Sequence, residues 1–219
     1  CGIMDQFISV FGKKNSVLRL DCRSLEYQYY PFNFEHISIL LFDTKVKHSL
    51  ASSEYNTRRG QCEAGVKLLK KHIPDIRSLR DVSPNLLQEY RNEFIDEIYK
   101  RCEYVVKENQ RLLDACEDLQ KGDLESFGRR MYQSHAGLRD DYEVSCKELD
   151  FLVELVVNQP AVLGSRMMGG GFGGCTINLV KENGIEDVVE KVSSEYKVRF
   201  GVEPDIYIGK IEDGTSRII

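Results

Sequence analysis

The chain has 219 residues, of which 42% are hydrophobic and 30% are charged, a composition typical of a globular protein with one large domain or slightly more. The formal net charge is −5, so the sequence offers no basic face of the kind that binds nucleic acid. No apolar run approaches the roughly 18 residues that a membrane span requires. We therefore expect neither a nucleic-acid partner nor a membrane partner.

The seven cysteines are spread along the chain without a C-x-x-C pair, and their number is odd. Free cysteine behaves as a small hydrophobic residue, whereas secreted disulfide scaffolds carry even sets of cysteines. With no signal peptide visible, the pattern favours a reducing compartment, and we expect a cytoplasmic protein. The four histidines are scattered as well, so the sequence predicts no metal site of the His/Cys type.

Hydrophobic spacing predicts the elements of the first third of the chain. Residues 3–11 read as a short amphipathic helix, and residues 16–21 and 25–30 as two short strands around an Arg23-Ser24 turn. The dense apolar run 37–42 indicates a buried strand. A helix rich in arginine and glutamate then fits residues 54–72.

The middle of the chain is predicted to be helical. Apolar positions within residues 95–119 follow helical spacing, Gly122 can end that helix, and Asp123 can cap a second one over 124–135. The stretch Ser145-Cys-Lys-Glu148 has the form of a capping box and predicts a further helix start. A strand beginning at Thr176, a helix over 185–199 and a strand over 205–208 complete the chain.

This order of elements predicts an α+β fold with helices packed on one face of a largely antiparallel sheet. Pro31 follows the tyrosine-rich second strand, so we place a domain seam near residues 31–36. The expected units are residues 1–35 and residues 36–219.

A glycine cluster is the most unusual local feature, because six of the 17 glycines fall between Gly164 and Gly174. Such density indicates backbone with positive φ or a ligand pressed against the chain, and a phosphate group is the ligand we expect. Gly169, Gly171 and Gly174 fit G-x-G-x-x-G, but a strand rather than a helix follows. This excludes a dinucleotide fingerprint and a Walker-type loop. A tight turn between strands explains only part of the cluster.

Three segments together resemble the galactokinases of the GHMP small-molecule kinase family. They are Cys1-Gly-Ile-Met-Asp-Gln-Phe-Ile-Ser9, His48-Ser-Leu-Ala-Ser-Ser-Glu-Tyr-Asn-Thr-Arg-Arg59, and the glycine cluster from Gly164 to Cys175. The stretch Arg139-Asp-Asp-Tyr-Glu-Val-Ser-Cys146 is also similar to one that galactokinases carry before their glycine motif. The resemblance implies a C-terminal GHMP kinase domain with an antiparallel, ferredoxin-like sheet, preceded by a remnant of the N-terminal domain.

The resemblance also implies roles for particular residues. Asp5 is the expected catalytic base, and Gly2, Asp5 and Tyr55 are expected to bind galactose. Gly170 and Gly171 are expected to lie near the phosphates of ATP. The composition by itself would favour a solvated surface acid at Asp5 and a core tyrosine at Tyr55.

Three arginines lie in or next to these motifs. Arg166 fits a phosphate contact and a surface ion pair equally well, and the sequence leaves both open. Arg58 and Arg59 are expected to be surface charges of their helix rather than catalytic groups.

Two further galactokinase motifs do not occur in this sequence: a Gly-Glu-His-x-Asp segment that grips the sugar, and a Pro-x-Gly-x-Gly-Leu-Ser-Ser-Ser loop that cradles the nucleotide and supplies a magnesium ligand. We therefore expect the C-terminal portion of a kinase that uses ATP and Mg²⁺, inactive on its own. Truncation would expose apolar side chains such as Phe7, Phe11 and Tyr29, so we expect self-association. The alternatives are an N-acetylgalactosamine or arabinose 1-kinase and a non-catalytic galactose-binding regulator of the same fold.

Overall fold

The computed structural model describes residues 2–46 and 51–216, with the side chains of residues 51–53 left out. Seven α-helices and six strands lie in these ranges. In chain order they are α1 (Met4–Phe11), β1 (Ser16–Leu20), β2 (Tyr27–Pro31), β3 (Ile37–Asp43), α2 (Ala51–Leu69), α3 (Pro84–Glu89), α4 (Asp96–Lys121), α5 (Leu124–Asp140), α6 (Lys147–Val156), β4 (Val162–Met167), β5 (Cys175–Lys181), α7 (Ile185–Phe200) and β6 (Asp205–Gly209). Short 3₁₀ turns occupy Leu79–Asp81, Arg91–Glu93 and Glu182–Gly184.

The main sheet has four strands in the order β4-β5-β3-β6, and every neighbouring pair is antiparallel. The connection from β3 to β4 carries α2 through α6, while β5 lies between these two strands. The connection from β5 to β6 carries α7, while β3 lies between them. These two interleaved β-α-β units form a ferredoxin-like sheet, which confirms the predicted α+β class and antiparallel topology.

Helices cover both faces of this sheet rather than the one face expected, because successive residues of a strand point to opposite sides. Leu40, Phe42 and Val180 pack with side chains of α6 and α7. On the other face the half-buried Ile39 and Ile177 and the buried Leu179 pack with side chains of α4, α5 and the end of the β2 segment. The sheet is therefore the middle layer of three.

Residues 2–34 form a helix and a hairpin at the side of this sandwich. β1 and β2 pair antiparallel, with Ser16 opposite Pro31 and Leu20 opposite Tyr27. Tyr30 and Phe32 are buried in the same cluster as α4 and α5 residues, so the hairpin is anchored to the helical layer. The domain seam near residues 31–36 stays a prediction.

Capping explains where the middle helices begin and end. Gly122 adopts a left-handed conformation with φ 71° after α4, and the Asp123 side chain accepts a hydrogen bond from the Ser126 backbone N–H at the start of α5. The predicted capping box at 145–148 is wrong: Cys146 rather than Ser145 is the N-cap of α6, and its side chain makes no cap hydrogen bond. The Ser145 hydroxyl donates to the Asp150 carboxylate. No helix in the described part of the chain is long and apolar enough to cross a bilayer.

Candidate functional site

The glycine cluster connects two neighbouring strands of the main sheet. Gly164 to Met167 belong to β4, so the prediction of one loop over 164–175 is wrong for its first four residues. The loop proper, residues 168–174, leads directly into β5, and no helix begins at it. The strand that follows the loop confirms that neither a dinucleotide fingerprint nor a Walker-type loop is present.

The glycines of the cluster serve different physical purposes. A Cβ on Gly164 would lie 2.6 Å from the Gly128 Cα, so this glycine lets α5 approach β4. A Cβ on Gly171 would lie 2.0 Å from the Val144 carbonyl oxygen, and its φ of +87° also favours glycine. Gly170, by contrast, is exposed, and a Cβ there would meet open space. Close packing thus accounts for Gly164 and Gly171 but not for Gly170.

Backbone hydrogen bonds hold both ends of the loop. The Thr44 amide and hydroxyl both donate to the Gly174 carbonyl, at 2.9 and 2.8 Å, and the Met168 amide donates to the Cys175 carbonyl at 3.0 Å. The Phe172 amide donates to the Val144 carbonyl at 2.7 Å. Residues 168–170 remain exposed between these anchors. The loop is therefore a turn held by hydrogen bonds at both ends, and its exposed backbone segment is suited to accept an anion.

Arg166 lies on β4 rather than on the loop. Its guanidinium donates to the Ser134 hydroxyl at 3.0 Å and stands 3.9 Å from the Glu108 carboxylate. The ion pair that the sequence left open is therefore present, and the phosphate contact stays a prediction.

Tyr55 lies on α2 with 55% of its surface exposed. It lines an open cleft of about 1130 Å³ between the β1–β2 hairpin, α2, the 77–84 segment and α4, and Tyr142 lines the same cleft. Its exposure contradicts the core tyrosine that the composition favoured and leaves the phenol free to meet a ligand. Residues 48–50 of the motif that contains Tyr55 lie outside the described residues.

Asp5 and Gly2 lie at the exposed amino-terminal end of α1. The first turn of a helix favours a carboxylate electrostatically. Among the described residues the Asp5 carboxylate has no hydrogen-bond or ion-pair partner, although the Asp5 carbonyl accepts a bond from the Ser9 hydroxyl at 2.7 Å. Neither residue lines the cleft at Tyr55. Asp5, Tyr55 and Gly170 thus lie on three separate elements, and their roles stay predictions.

Arg58 is the functional candidate that sequence reasoning dismissed. It is only 8% exposed, and its Nε and Nη2 donate to the carbonyls of Tyr142 and Glu143 at 2.7 and 3.1 Å. The surface-charge prediction is therefore wrong for Arg58. It is confirmed for Arg59, which is exposed and pairs with Glu63 at 2.8 Å. Arg58 shares the inward stripe of Cys62, Gly65 and Leu69, and this helical spacing was the signal that could have revealed it.

Comparison with known proteins gives consistent results. Residues 115–198 match the family described as GHMP kinases C terminal. The whole chain is 43% identical to a galactokinase of Clostridium acetobutylicum and, over 218 residues, 43% identical to one of Thermotoga neapolitana. It spans 56% and 60% of the lengths of these two relatives.

Solved structures agree in fold. A Lactococcus lactis galactokinase complexed with galactose superposes with a TM-score of 0.92 at 33% identity, over the whole of this chain and 56% of that one. A mevalonate kinase of L. major in complex with R-mevalonate shares the fold, with a TM-score of 0.52 at 20% identity over 92% of this chain and 50% of that one. Residues 115–198 therefore form a GHMP kinase C-terminal domain, and the whole chain is similar to the C-terminal portion of the galactokinases.

Proposed function

We propose that this chain is the C-terminal part of a sugar 1-kinase that transfers the γ-phosphoryl group of ATP to the anomeric hydroxyl of galactose. The observation that carries the proposal is the superposition over the whole chain on a galactokinase complexed with galactose, with a TM-score of 0.92. Such an enzyme serves galactose metabolism, and we propose that it acts in the cytoplasm.

The residues of this chain supply groups suited to that reaction. The Asp5 carboxylate accepts the proton of the anomeric hydroxyl as this oxygen attacks phosphorus. Gly2 allows a sugar hydroxyl to approach the backbone closely, and the exposed Tyr55 phenol donates to or accepts from the sugar. The exposed backbone at Gly170, supported by the buried Gly171 beside it, would contact the phosphates of ATP.

The described residues fit the two cofactors of the proposed reaction unequally. The backbone at Gly169 and Gly170 has open space where side chains would lie, which suits contact with phosphate oxygens. ATP, when bound, supplies the phosphoryl group that is transferred. No group of three or more His, Cys, Asp or Glu side chains among the described residues could hold a metal ion. Magnesium in such kinases is bound by one or two carboxylates or hydroxyls together with the phosphates, and the resemblance places that protein ligand in the upstream serine-rich loop.

The isolated chain is expected to be inactive, because the sugar-gripping and nucleotide-cradling motifs of galactokinases are absent from its sequence. The test is an assay of the purified chain with galactose, ATP and Mg²⁺ that detects galactose 1-phosphate. Formation of the product above the level of a heat-treated sample would overturn the expectation.

The role of Asp5 is tested in the full-length protein, meaning this chain together with the upstream motifs. Asp5→Ala should abolish turnover while the thermal midpoint stays unchanged, since Asp5 is exposed and its carboxylate makes no hydrogen bond or ion pair among the described residues. Asp75→Ala, which removes another exposed acid, is the matched control. Near-parental turnover in Asp5→Ala would rule out this residue as the base.

Two alternatives keep the fold but change the function: a 1-kinase for N-acetylgalactosamine or arabinose, and a galactose-binding regulator without turnover. Turnover by the full-length protein with each sugar separates the kinases. Calorimetric binding of galactose without any product would identify the regulator.

A further inference from the structure

Two buried arginines from different helices hold the turn that precedes α6. Arg58 of α2 donates to the Tyr142 and Glu143 carbonyls, as described above. Arg101 of α4, only 2% exposed, donates to the Asp141 carbonyl at 2.5 Å and to the Glu143 carboxylate at 2.6 Å. Glu143 has a φ of +54°, an uncommon conformation for a residue with a side chain. Outside contacts therefore maintain a backbone that is locally strained.

The same turn continues into the contact with the glycine loop. Val144 is buried, and its carbonyl accepts the Phe172 amide at 2.7 Å. The Gly171 backbone packs so closely against this carbonyl that a Cβ would lie 2.0 Å from the oxygen. Phe172 itself has a φ of +60°. A displacement of the turn by more than about 0.5 Å would therefore move the loop with it or stretch this hydrogen bond beyond its usual range.

We propose that Arg58 is a positioning residue that sets the place of the glycine loop relative to the sugar-side helix α2, acting through residues 142–144. The inference rests on the proposed kinase function. Tyr55 lies one turn before Arg58 on α2, so a single rigid helix carries the predicted sugar contact and the anchor of the predicted phosphate loop.

The chemistry of arginine suits this task. Its planar guanidinium donates from Nε and Nη2 to two successive carbonyls in fixed geometry, and its charge is partly balanced by Glu54 and Glu143, which lie 3.8 and 4.0 Å away. A lysine can place its ammonium near one carbonyl but cannot donate to both carbonyls from one planar group. A glutamine keeps much of the volume but loses both the charge and this pair of hydrogen bonds.

The test uses the full-length protein with three versions of residue 58. For Arg58→Gln we expect a ten- to hundredfold fall in kcat, because small misplacements of reacting groups have effects of about this size. We expect the KM for galactose to stay within twofold of the unaltered value. The kcat of Arg58→Lys should fall between those of the unaltered protein and Arg58→Gln. Hydrogen exchange should accelerate selectively at the Phe172 amide in Arg58→Gln. Arg129→Gln, an exposed arginine on α5, is the control and should change neither readout.

The outcomes separate this inference from the proposed function. Absence of product from the unaltered full-length protein defeats the kinase proposal, whereas the exchange measurement still tests the coupling between Arg58 and the loop. Unchanged exchange at Phe172, or a rise in the galactose KM with kcat preserved, would overturn the inference. Exchange that accelerates throughout the chain indicates a structural role only and also overturns it. If Arg58→Gln does not fold, Arg58→Lys carries the same two measurements.

Discussion

Individual glycines of the 164–174 cluster differ in what their missing side chains allow. Gly164 faces Gly128 across the contact between β4 and α5, and both residues are buried. Gly170 is exposed, has no close neighbour and does not have a positive φ. A residue type that is repeated in sequence is therefore required by packing at one position and not at another.

A pair of alanine substitutions tests this difference. In Gly164→Ala the new Cβ would meet backbone at 2.6 Å, and such overpacking should lower the free energy of unfolding by about 1–3 kcal/mol. Gly170→Ala should stay within about 0.5 kcal/mol of the unaltered chain. Denaturant unfolding at equilibrium measures both. Equal effects of the two substitutions would contradict the distinct roles.

Cys62 should be unusually reactive for a half-buried thiol. Hydrogen bonding with Cys102 is the main influence that lowers the pKa of Cys62 below that of an ordinary thiol, and the Tyr142 hydroxyl, 3.8 Å from its sulfur, adds to the effect. The thiolate is the reacting form, so alkylation of Cys62 by iodoacetamide should already be fast at neutral pH, below the range in which an ordinary thiol ionises. Burial raises the pKa of Cys146 to about 11, so this thiol should react slowly at neutral pH.

Mass spectrometry of the labelled native protein can follow both cysteines at once. Tyr142→Phe removes the hydroxyl and should move the Cys62 profile to higher pH. The interpretation fails if Cys62 and Cys146 react at the same rate at pH 7.

At the scale of elements, two crossed ion pairs attach the β1–β2 hairpin to the 78–81 turn. Arg23 of the hairpin pairs with Asp81 at 2.7 Å, and Arg80 of the turn pairs with Asp21 of the hairpin at 2.6 Å. Asp81 also accepts the backbone amides of Arg77 and Ser78, at 2.9 and 3.0 Å. This carboxylate therefore organises its own turn and the hairpin contact together.

The contact should depend on pH. The hydrogen bond from Arg23 is the main cause that lowers the pKa of Asp81 to about 2. A lowered carboxyl pKa stabilises the fold above the unfolded value of about 4, and this contribution is lost as pH falls from about 4 to 2. Asp81→Asn should lower the thermal midpoint at pH 7, and the difference from the unaltered chain should shrink towards pH 2.

Asp75→Asn serves as the control for that titration, because Asp75 is exposed. A difference between Asp81→Asn and the unaltered chain that stays constant from pH 7 to pH 2 would contradict the assigned role of the charge.

At the scale of the whole molecule, α1 stands out as a helix that packs only loosely against the rest of the protein. None of its residues is buried, and Ile3 before it, together with Met4, Ile8, Val10 and Phe11, leaves large apolar side chains exposed. Backbone hydrogen bonds from Gly214 and Thr215, to Gly12 and Ser9 respectively, fasten its end, as does the Tyr29 hydroxyl bond to Phe11. Of the three side chains that the sequence led us to expect at the surface, Phe11 is exposed, whereas Phe7 and Tyr29 are half-buried.

The isolated chain should therefore self-associate through α1. We expect the mass measured by light scattering to rise with protein concentration, and Ile8→Glu to reduce the rise by placing a charge in the contact. Gln6→Glu, which adds the same charge at an exposed polar position of the helix, is the control. A monodisperse monomer at every concentration would refute the prediction.

Much of the secondary structure was predictable because local signals and tertiary packing agree. The end of α4 at Gly122 and the cap of α5 at Asp123 depend only on neighbouring residues, and both are confirmed. β4 was missed, because Gly164, Ser165 and Arg166 interrupt any apolar alternation. This segment becomes a strand through pairing with β5 and close contact with α5.

Burial was less predictable than helicity. In α4, Leu112 is 50% exposed while Arg101 is almost completely buried. Hydrophobic spacing alone predicts that Leu112 is buried and that Arg101 is exposed. Arg101 is buried because the strained turn at Asp141 and Glu143 supplies its acceptors, and that turn lies about 40 residues away in the sequence.

The sequence by itself determined the fold class, the antiparallel sheet and the resemblance to the galactokinases, since periodicity, caps and motifs can be read directly along the chain. Only the tertiary structure decided which glycines of the cluster are required by packing and which arginine of the Arg58-Arg59 pair faces inward. The physical reason is that burial and hydrogen bonding depend on partners distant in sequence. Arg58 meets Tyr142, and Gly171 meets Val144, only after the helices have packed around the sheet.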